Sequence, residues 1–578
     1  MEGVYFDQYG IVPTRLREGS DIRVGFAALN YPSPAPTGIL AHRLRPVGDR
    51  FTVNLGLNAT QYGGYAFDFY TQIPIVKDHF ALGTGESRAW TGNPDGAVQR
   101  TFNISLIAPI RFGGFEVKPI FSGSHLYDGD TRPIIYVNGP FVPHTTKPGR
   151  NLAQRWAKQD NWNINFGALF TVPLTERLRF RGGIMQSRIN RLHNYSEIFL
   201  VREASGLSSH LMVIDPVQKS YANSWDALLS YRLDSGRLRH NFLLQYKGRR
   251  RHIESGGSDY FDFGYVILGE RDPEPRPATQ FGRPAIATLR QDNFTLGYIG
   301  RLEDVGQVNL GVTKTIYRAD VREPSGTTGS STRPWLYNAS VMIRPLKHVA
   351  LYAGYVTGLE DSGTAPESAT NRNEQLPASL THQIDAGIKV DIALMHVVAS
   401  IFQIKKPYFS YDGIGRYVQL GTVRHRGVEV SASGKLTSRL QILAGAVMMK
   451  PEVSGFGVKA GLLGRLPAGT PKLHARIDAN YRTDIFGGLT FTVAMLHDGR
   501  RALTSAPYAA LGGRQVMLPA HTAIDLGLRQ AFTIGKTPVS FRFTVNNIFD
   551  KRNWKVIAPN TVQLDDVRRV NFYFLADF

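Results

Sequence analysis

The sequence predicts an all-β fold, a transmembrane antiparallel β-barrel of 22 strands with short periplasmic turns and long extracellular loops. Two observations predict it. Segments of about ten residues in which apolar and polar side chains alternate recur from about residue 51 to the end. The connections between these segments are alternately short turns and long polar loops.

The alternation divides each predicted strand into an apolar face and a polar face. In residues 472–482, Ile477 and Tyr481 fall on one face, whereas Arg476 and Asp478 fall on the other. The same division occurs in residues 383–390 and 539–546. A face this charged does not suit a water-free core, but it suits the wall of a wet lumen.

The short turns give the number of strands. Ten of them divide residues 51–578 into eleven segments, each read as strand, long loop, strand, which makes 22 strands. The predicted turns are 75–79, 109–114, 173–177, 233–238, 302–307, 345–348, 390–394, 436–439, 484–488 and 534–538.

The long connections are rich in proline, glycine and charge. Examples are residues 137–156, 271–287 and 319–335. A closed barrel satisfies every backbone group in lipid and leaves no sheet edge. The alternative is a soluble protein of repeated sheets such as a propeller, but the hairpins lack the shared motif of a propeller blade.

The chain closes on the apolar strand "RRVNFYFLADF". Val570, Phe572, Phe574 and Phe578 lie on one face of it, and we expect this to be the last barrel strand, with its apolar face in lipid.

Composition excludes several classes of function. Lysine and arginine outnumber aspartate and glutamate by 67 to 47, but the positive charges are scattered, with "KGRRR" at 247–251 the one dense run, which disfavours a nucleic-acid binder. The chain has no cysteine, so it has neither disulfides nor thiolate sites. No apolar window is long enough for a transmembrane helix, and the first residues lack the features of a secretory signal.

The motifs of catalysis and metal binding are absent from the sequence. There is no G-x-S-x-G, H-E-x-x-H or G-x-G-x-x-G. "GKT" at 535–537 lacks the first glycine of a phosphate-binding loop, because position 530 is Gln530, and we interpret it as a turn. "YDGD" at 127–130 lacks further oxygen ligands for calcium. We therefore expect no enzyme activity, no cofactor and no metal site.

Several stretches resemble TonB-dependent outer-membrane receptors, in particular the ferric-siderophore receptors. Residues 542–554 resemble the family's penultimate-strand motif, with matches at Asn547, Phe549, Asp550 and Trp554. Residues 351–390 and 417–436 resemble mid-barrel segments of the family, and Phe578 resembles the terminal residue by which its barrels are recognised for membrane assembly.

The resemblance implies a 22-stranded barrel closed by an N-terminal plug domain. Residues 1–46 resemble only the last part of a plug, and residues 47–578 would form the barrel. The signal peptide, the TonB box and most of the plug are missing from the sequence, which we interpret as a truncation, with a naturally plugless pore as the alternative.

The implied function is import of a ferric siderophore across the outer membrane of a Gram-negative bacterium. The implied partners are the siderophore, the TonB complex, outer-membrane lipid and lipopolysaccharide, with no nucleic acid, and we expect a monomer. Alternatives are a passive porin-like pore, or a receptor for cobalamin, a thiamine-like compound or a saccharide. No ligand residue is carried over, because the family's ligand contacts come from plug apices and long loops.

Positive lumen residues would raise the local concentration of an anionic chelate. The examples are Lys389, Arg476 and Arg542, although Asp385 and Asp478 are available as ion-pair partners. The run 247–251 is expected near the outer rim, where either lipopolysaccharide phosphates or solvent would surround it.

Overall fold

The computed structural model of the protein describes residues 16–23, 38–565 and 567–578. The described residues form a closed antiparallel barrel of 22 strands, as predicted. We number them β1–β22 along the chain: Thr52–Thr60, Gly64–Val76, Phe80–Gly92, Val98–Ile107, Phe115–Asp130, Lys158–Pro173, Leu178–Val201, Gln218–Ser235, Leu238–Ser255, Ala285–Leu302, Gly306–Glu323, Trp335–Leu346, Val349–Glu360, Ser379–Ile392, Met395–Tyr411, Tyr417–Lys435, Leu440–Ser454, Leu473–Arg482, Thr490–Asp498, His521–Ile534, Thr537–Asn546 and Arg569–Asp577.

The first and last strands close the barrel. β1 pairs with β22 in the register Asn54↔Asp577 to Thr60↔Asn571. Two backbone hydrogen bonds extend this seam, from Phe578 N to Val53 O at 2.7 Å and from Val53 N to Phe578 O at 2.9 Å. Closure leaves no unpaired edge between β22 and β1, which is the condition for a sheet in lipid.

All ten predicted short turns connect consecutive barrel strands at one end of the barrel. The turn between β20 and β21 shows the local reason. Gly535 has φ +62°, a conformation that glycine adopts without strain, and this confirms that "GKT" is a turn. Ile110–Phe112 continues β4 after a break, before the turn at 113–114.

The alternation places polar side chains in the lumen and apolar side chains outside. Arg482 of β18, Arg529 of β20 and Arg542 of β21 line one cavity, so their face points inward. The alternate face of the same strands is apolar and exposed, as with Ile477 and Phe532. The predicted two-faced strands are therefore confirmed.

Two charged side chains of β3 lie on the outer face among apolar neighbours. Glu86 and Arg88 of β3 are cross-strand neighbours of Phe69 and Phe67, and their side chains are 3.5 Å apart. The Arg88 guanidinium also lies 5.3 Å from the centre of the Phe102 ring. The ion pair between Glu86 and Arg88 has no net charge, which reduces the free-energy cost of placing these side chains against lipid.

The extracellular connections differ from the prediction in length. Three of the eleven are short, at 61–63, 93–97 and 412–416. The predicted loop 319–335 is largely strand, because β11 runs to Glu323 and Gly326–Thr332 pairs back on it. In a hairpin that continues beyond the membrane, the backbone N–H and C=O groups form hydrogen bonds with each other. In an irregular loop the same groups would form hydrogen bonds with water.

Other connections form a second sheet outside the membrane. Ile134–Val137 pairs in parallel with the end of β7 and antiparallel with Thr561–Asp565. Leu207–Asp215 pairs with the same end of β7 on its other side. The remaining strands of this extracellular sheet are Asp259–Ile267 and Asn553–Ala558. The sheet ties four extracellular connections together.

The described N-terminal residues lie against the inner wall of the barrel. Arg17–Arg23 pairs with Ile39–Leu44. Leu16 and Val47 are buried against Ala81 and Ile107, which are inward-facing residues of β3 and β4. The predicted plug remnant, residues 1–46, falls partly outside the described residues, which omit 1–15 and 24–37.

Helical structure is confined to connections. The described part of the chain has one short α-helix, Phe456–Lys459, and the 3₁₀ turns Gln61–Gly63, Ile485–Gly487 and Ala509–Leu511. No helix in that part has the length and apolarity to cross a membrane. Short strands Arg501–Ala502 and Met517–Leu518 pair with each other in the connection between β19 and β20.

Candidate functional site: the covered mouth of the barrel

Extracellular connections from distant strands share one apolar core over the mouth of the barrel. We call it the loop core. Its buried members come from five places, namely 134–137, the end of β7, 499–520, 547–565 and Val567. Phe141 and Leu511 pack against it from connections that start on far sides of the strand ring. Such contact requires the chain to cross the mouth.

Trp554 is the largest side chain of the loop core. It is 2% exposed, and its Nε1 donates to the carbonyl of Pro143 at 2.8 Å. A buried indole whose N–H donates a hydrogen bond contributes apolar contact area and also has its ring orientation fixed by that bond. Trp554 therefore fixes the connection 131–157 to the connection 547–568.

Asn560 joins three connections at one point. Its backbone N donates to Leu503 O at 2.9 Å, and its carbonyl accepts from Val137 N at 2.7 Å. Its side chain donates to Val137 O at 3.2 Å. Asn560 has φ +63°, a conformation that asparagine tolerates better than most residues, so the residue type suits this turn.

A buried histidine links the extracellular sheet to the connection between β9 and β10. His210 and Glu197 are both 0% exposed, and His210 Nε2 lies 2.7 Å from Glu197 Oε1. His210 Nδ1 lies 3.0 Å from Asp272 Oδ2. The His210 ring stacks on Phe199 at 4.8 Å and meets Phe263 edge-on at 5.1 Å.

The surroundings of His210 determine its charge. Burial alone lowers its pKa, but the hydrogen bonds and negative charges of Glu197 and Asp272 outweigh burial, so the pKa lies above its ordinary value. A charged imidazolium donates to both carboxylates, whereas a neutral ring can donate to only one. Gln154 N also donates to Glu197 Oε2 at 2.8 Å, which extends the link to the connection 131–157.

A second polar link lies at the mouth on the lumen side. Arg251 of β9 pairs with Asp361, in the connection between β13 and β14. Tyr317 of β11 donates to Asp361 Oδ1 at 2.8 Å, and Gly363 N donates to the same oxygen at 3.0 Å. The connection 361–378 is thereby held to the barrel wall.

The run 247–251 is not a loop but the middle of strand β9. Alternation sends Lys247, Arg249 and Arg251 to the lumen side and Arg250 to the outer side. The run looked like one dense patch because it was not assigned to a strand, in which successive side chains point to opposite faces. The expectation of one solvated or phosphate-binding patch is therefore wrong for most of the run.

The predicted lumen charges have different environments. Arg476 makes a bidentate pair with Asp478, at 2.6 and 2.7 Å, as the prediction of ion pairing required. The Lys389 ammonium lies 5.3 Å from the centre of the Tyr352 ring. Arg542 lines a lumen cavity of about 780 Å³ together with Arg482 and Arg529.

These three cavity arginines carry uncompensated charge within the described residues. None of them has a carboxylate within 4.0 Å there. The cavity includes Gly487 and Gly488 of a short turn, so it lies toward the end of the barrel opposite the mouth. Its surface attracts negatively charged groups.

The predicted C-terminal motif lies where the chain leaves β21. Asn547 is 1% exposed with φ +47°, its N donates to Asp525 Oδ1 at 2.7 Å, and its side chain donates to Lys551 O at 3.0 Å. Asp550 accepts from Arg568 N at 2.9 Å, whereas Phe549 is 61% exposed. Asn547 and Asp550 therefore shape the exit from β21, and Trp554 enters the loop core.

The predicted residues of the last strand lie at the seam. Phe572 and Phe574 face outward, and Phe572 meets Phe541 edge-on at 4.6 Å. Phe578 also faces outward, next to the seam hydrogen bonds. Val570 N donates to Gln61 Oε1 at 3.2 Å.

Sequence reasoning missed His210, Glu197 and Asp272. Each stands in an ordinary polar stretch, and His210 lies 62 positions from Asp272. No spacing signal marks them, because the extracellular sheet brings them together. The described residues contain no group of three or more metal-ligating side chains placed to hold a metal ion.

A family model and a characterised relative that match this chain both describe receptors. The family model "TonB dependent receptor-like, beta-barrel" matches residues 114–548. The ferrichrome receptor FcuA of Yersinia enterocolitica is 20% identical over 442 residues, and the match covers 72% of this chain but only 56% of that protein.

Solved structures show the same fold. The ferric preacinetobactin receptor BauA from Acinetobacter baumannii has a TM-score of 0.80 at 18% identity, covering 98% of this chain and 86% of that one. The siderophore receptor PiuA from Acinetobacter baumannii has a TM-score of 0.80 at 14% identity, with coverage of 98% and 87%. The family model matches well over half of the chain, and the chain belongs to the TonB-dependent receptor-like β-barrel family.

Proposed function

We propose that this protein imports a ferric siderophore across the outer membrane with energy supplied through TonB. The observation that carries the proposal is the 22-strand barrel whose mouth is covered by connections interlocked through the loop core. A general pore needs an open mouth, whereas a receptor needs a built surface there. The relative is named a ferrichrome receptor, and the two solved neighbours are named a ferric preacinetobactin receptor and a siderophore receptor, which supports a cargo of this class.

The cargo would pass from the covered mouth to the basic cavity near the other end. A ferric chelate is too bulky for general diffusion pores, and many chelates are anionic. The cavity around Arg482, Arg529 and Arg542 would attract such a chelate once the mouth opens. Transport by this route needs no catalytic group, and we propose no enzyme activity.

We propose that residues 1–46 are the last part of a plug domain and residues 47–578 the barrel. The packing of Leu16 against Ala81 and Ile107 of the inner wall supports the first assignment, because a plug lies inside the lumen. TonB would act on that plug. We further propose that the protein is a monomer of the outer membrane.

Lipopolysaccharide is the proposed partner of the outer wall. Arg250 of β9, Arg290 of β10 and Arg318 of β11 are cross-strand neighbours on the outward face, toward the extracellular ends of these strands. Arg290 and Arg318 pair with Asp292 and Asp320, so the net positive charge at this place is modest. Phosphate groups of the outer leaflet would lie at the same height.

The last strand is proposed to carry the signal for barrel assembly. Val570, Phe572, Phe574 and Phe578 share one face of it, and the exposure of Phe572 and Phe578 on the outer side of the barrel supports this proposal.

Uptake by cells tests the proposed function. Iron-starved cells that lack their own receptors would carry the gene for this protein and be supplied with ferric chelates labelled with radioactive iron. We expect uptake that depends on both the gene and TonB. Uptake without TonB would indicate a passive pore. TonB-dependent uptake of cobalamin or a saccharide, without uptake of any chelate, would show that the protein imports that ligand and not a siderophore.

A further inference from the structure

A cleft lies where three extracellular connections meet. We call it the mouth cleft, and its volume is about 790 Å³. Its walls come from 140–142, 458–466 and 500–517. The first of these connections starts at β5 and β6, on the far side of the strand ring from β17 and β18, so the cleft is above the mouth. Its volume falls within the range of small-molecule sites.

The lining combines positive charge with apolar surface. Arg465, Arg500 and Arg514 are part of it, and no acidic residue is among the described residues that line it. Phe141 and Met517 belong to the apolar walls. A ligand that matches this lining is anionic and carries aromatic or aliphatic groups.

Two of these arginines have uncompensated charge. In the part of the chain that the structure describes, neither Arg465 nor Arg500 has a carboxylate within 4.0 Å. Arg514 is partly engaged, because its Nε donates to Leu511 O at 3.0 Å. The neighbouring Arg501 shows the contrast: it is buried, lies 3.8 Å from Asp498 and donates to Trp554 O at 3.1 Å. Arg501 is structural, whereas Arg465 and Arg500 are exposed to a ligand.

The cleft is held in shape by a buried glutamine. The side chain of Gln515 donates to Leu466 O and to Thr504 O, both at 2.7 Å, and accepts from Leu466 N at 3.0 Å. Gly464 N donates to Ser505 O at 2.8 Å. These bonds fix the connection 455–472 to the connection 499–520, so the two free arginines are presented on a prebuilt surface.

We propose that the mouth cleft binds a negatively charged ferric chelate, such as a tris-catecholate, in preference to a neutral tris-hydroxamate. Arg465 and Arg500 would recognise the charge, and Phe141 would pack on the ligand's aromatic groups. This inference rests on the proposed function and names the class of siderophore. It differs from what the relative's name, a ferrichrome receptor, suggests by itself.

The test is a binding titration of the purified protein with two synthetic ferric chelates, a tris-catecholate and a neutral tris-hydroxamate. We expect the tris-catecholate to bind more tightly and its affinity to fall as salt concentration rises. The double variant Arg465→Gln/Arg500→Gln should lose at least about tenfold in affinity for the tris-catecholate and show a flatter salt dependence. Lys459→Gln is the matched control, an exposed cation on the same connection outside the cleft.

The possible outcomes separate this inference from the proposed function. Equal or tighter binding of the neutral chelate, or a double variant that binds like the wild type, would overturn the charge-selective cleft while leaving import intact. Failure of both chelates to bind and to enter cells would overturn import and the cleft together. Heat-resistant migration in gels confirms that each variant is a folded barrel.

Discussion

Trp554 offers a direct test of the loop core. Replacing it with alanine, Trp554→Ala, removes the largest side chain of that core and its hydrogen bond to Pro143. We expect the barrel to remain folded, because its strands do not depend on this residue. The connections over the mouth should instead separate more often, since local elements open with their own free energies.

The magnitude follows from burial. A tryptophan buries about 200 Å², which at about 25 cal/mol per Å² corresponds to ~5 kcal/mol, and alanine substitutions of buried tryptophan cost about 3–5 kcal/mol. Trp554→Phe keeps most of the apolar area and loses mainly the hydrogen bond, about 1 kcal/mol. A loss of about 3 kcal/mol corresponds to roughly a hundredfold increase in opening.

Hydrogen exchange of the backbone amides measures that opening. Peptides that cover residues 131–157 should exchange roughly a hundredfold faster in Trp554→Ala and less than about tenfold faster in Trp554→Phe. Ile414→Ala is the control, because Ile414 is 73% exposed in the short connection between β15 and β16.

Unchanged exchange of residues 131–157 in Trp554→Ala would refute the reasoning. It would mean that other contacts of the connection hold it to the mouth without Trp554. Equal acceleration throughout the barrel would refute it differently, because the residue would then support the whole fold.

Three further predictions concern other links. The raised pKa of His210 means that the stabilisation it provides is complete below about pH 6.5 and is lost as pH rises through the folded pKa. The opening of residues 256–284, obtained by dividing each exchange rate by the intrinsic amide rate at the same pH, should therefore rise with pH in the wild type and be independent of pH in His210→Gln. Burial raises the pKa of Asp361, but the charge of Arg251 and the hydrogen bonds to the carboxylate outweigh burial, so the pKa lies below its ordinary value of 3.8. The contact between Asp361 and Arg251 therefore persists at neutral pH and weakens only as pH falls below 3.8. Asp361→Asn should therefore free the connection 361–378 at neutral pH, at a cost of about 2–3 kcal/mol measured by exchange. Deleting Phe578 removes the two seam hydrogen bonds and should lower the yield of heat-resistant barrel in the outer membrane.

Each of these has its own contradicting result. A pH-dependent opening of residues 256–284 that survives in His210→Gln would assign the titration to another group. Asp361→Asn should resemble Arg251→Gln, and a large effect of one without the other would show that the pair does not act as a unit. Phe486→Ala is the control for the deletion, since Phe486 is exposed in a short turn, and an equal loss of barrel would show that the effect is unspecific.

The turns and faces of the barrel could be predicted because their signals are local. Alternation assigns Ile477 and Arg476 to opposite sides without knowledge of any partner. Residues such as Gly535 mark turns through their own backbone preference. Counting ten such turns was enough to obtain the 22 strands that the structure has.

The candidate site could not be predicted in the same way. The run 247–251 gave a strong compositional signal, yet its side chains divide between lumen and outer wall. The mouth cleft gave none, because Phe141 lies far along the chain from Arg465 and Arg500. Trp554 was singled out by resemblance to a family motif, but its role in joining connections was not visible in that motif.

The sequence by itself therefore determined the strand number, the sidedness of each strand and the closing position of the last one. Only the tertiary structure decided which connections meet over the mouth, where His210 finds its two carboxylates and which arginines stay without an acidic partner. The physical reason is the range of the interactions. Turn and alternation preferences act within a few residues, whereas Trp554 donates to a carbonyl 411 positions away, a contact that exists only after the barrel has closed.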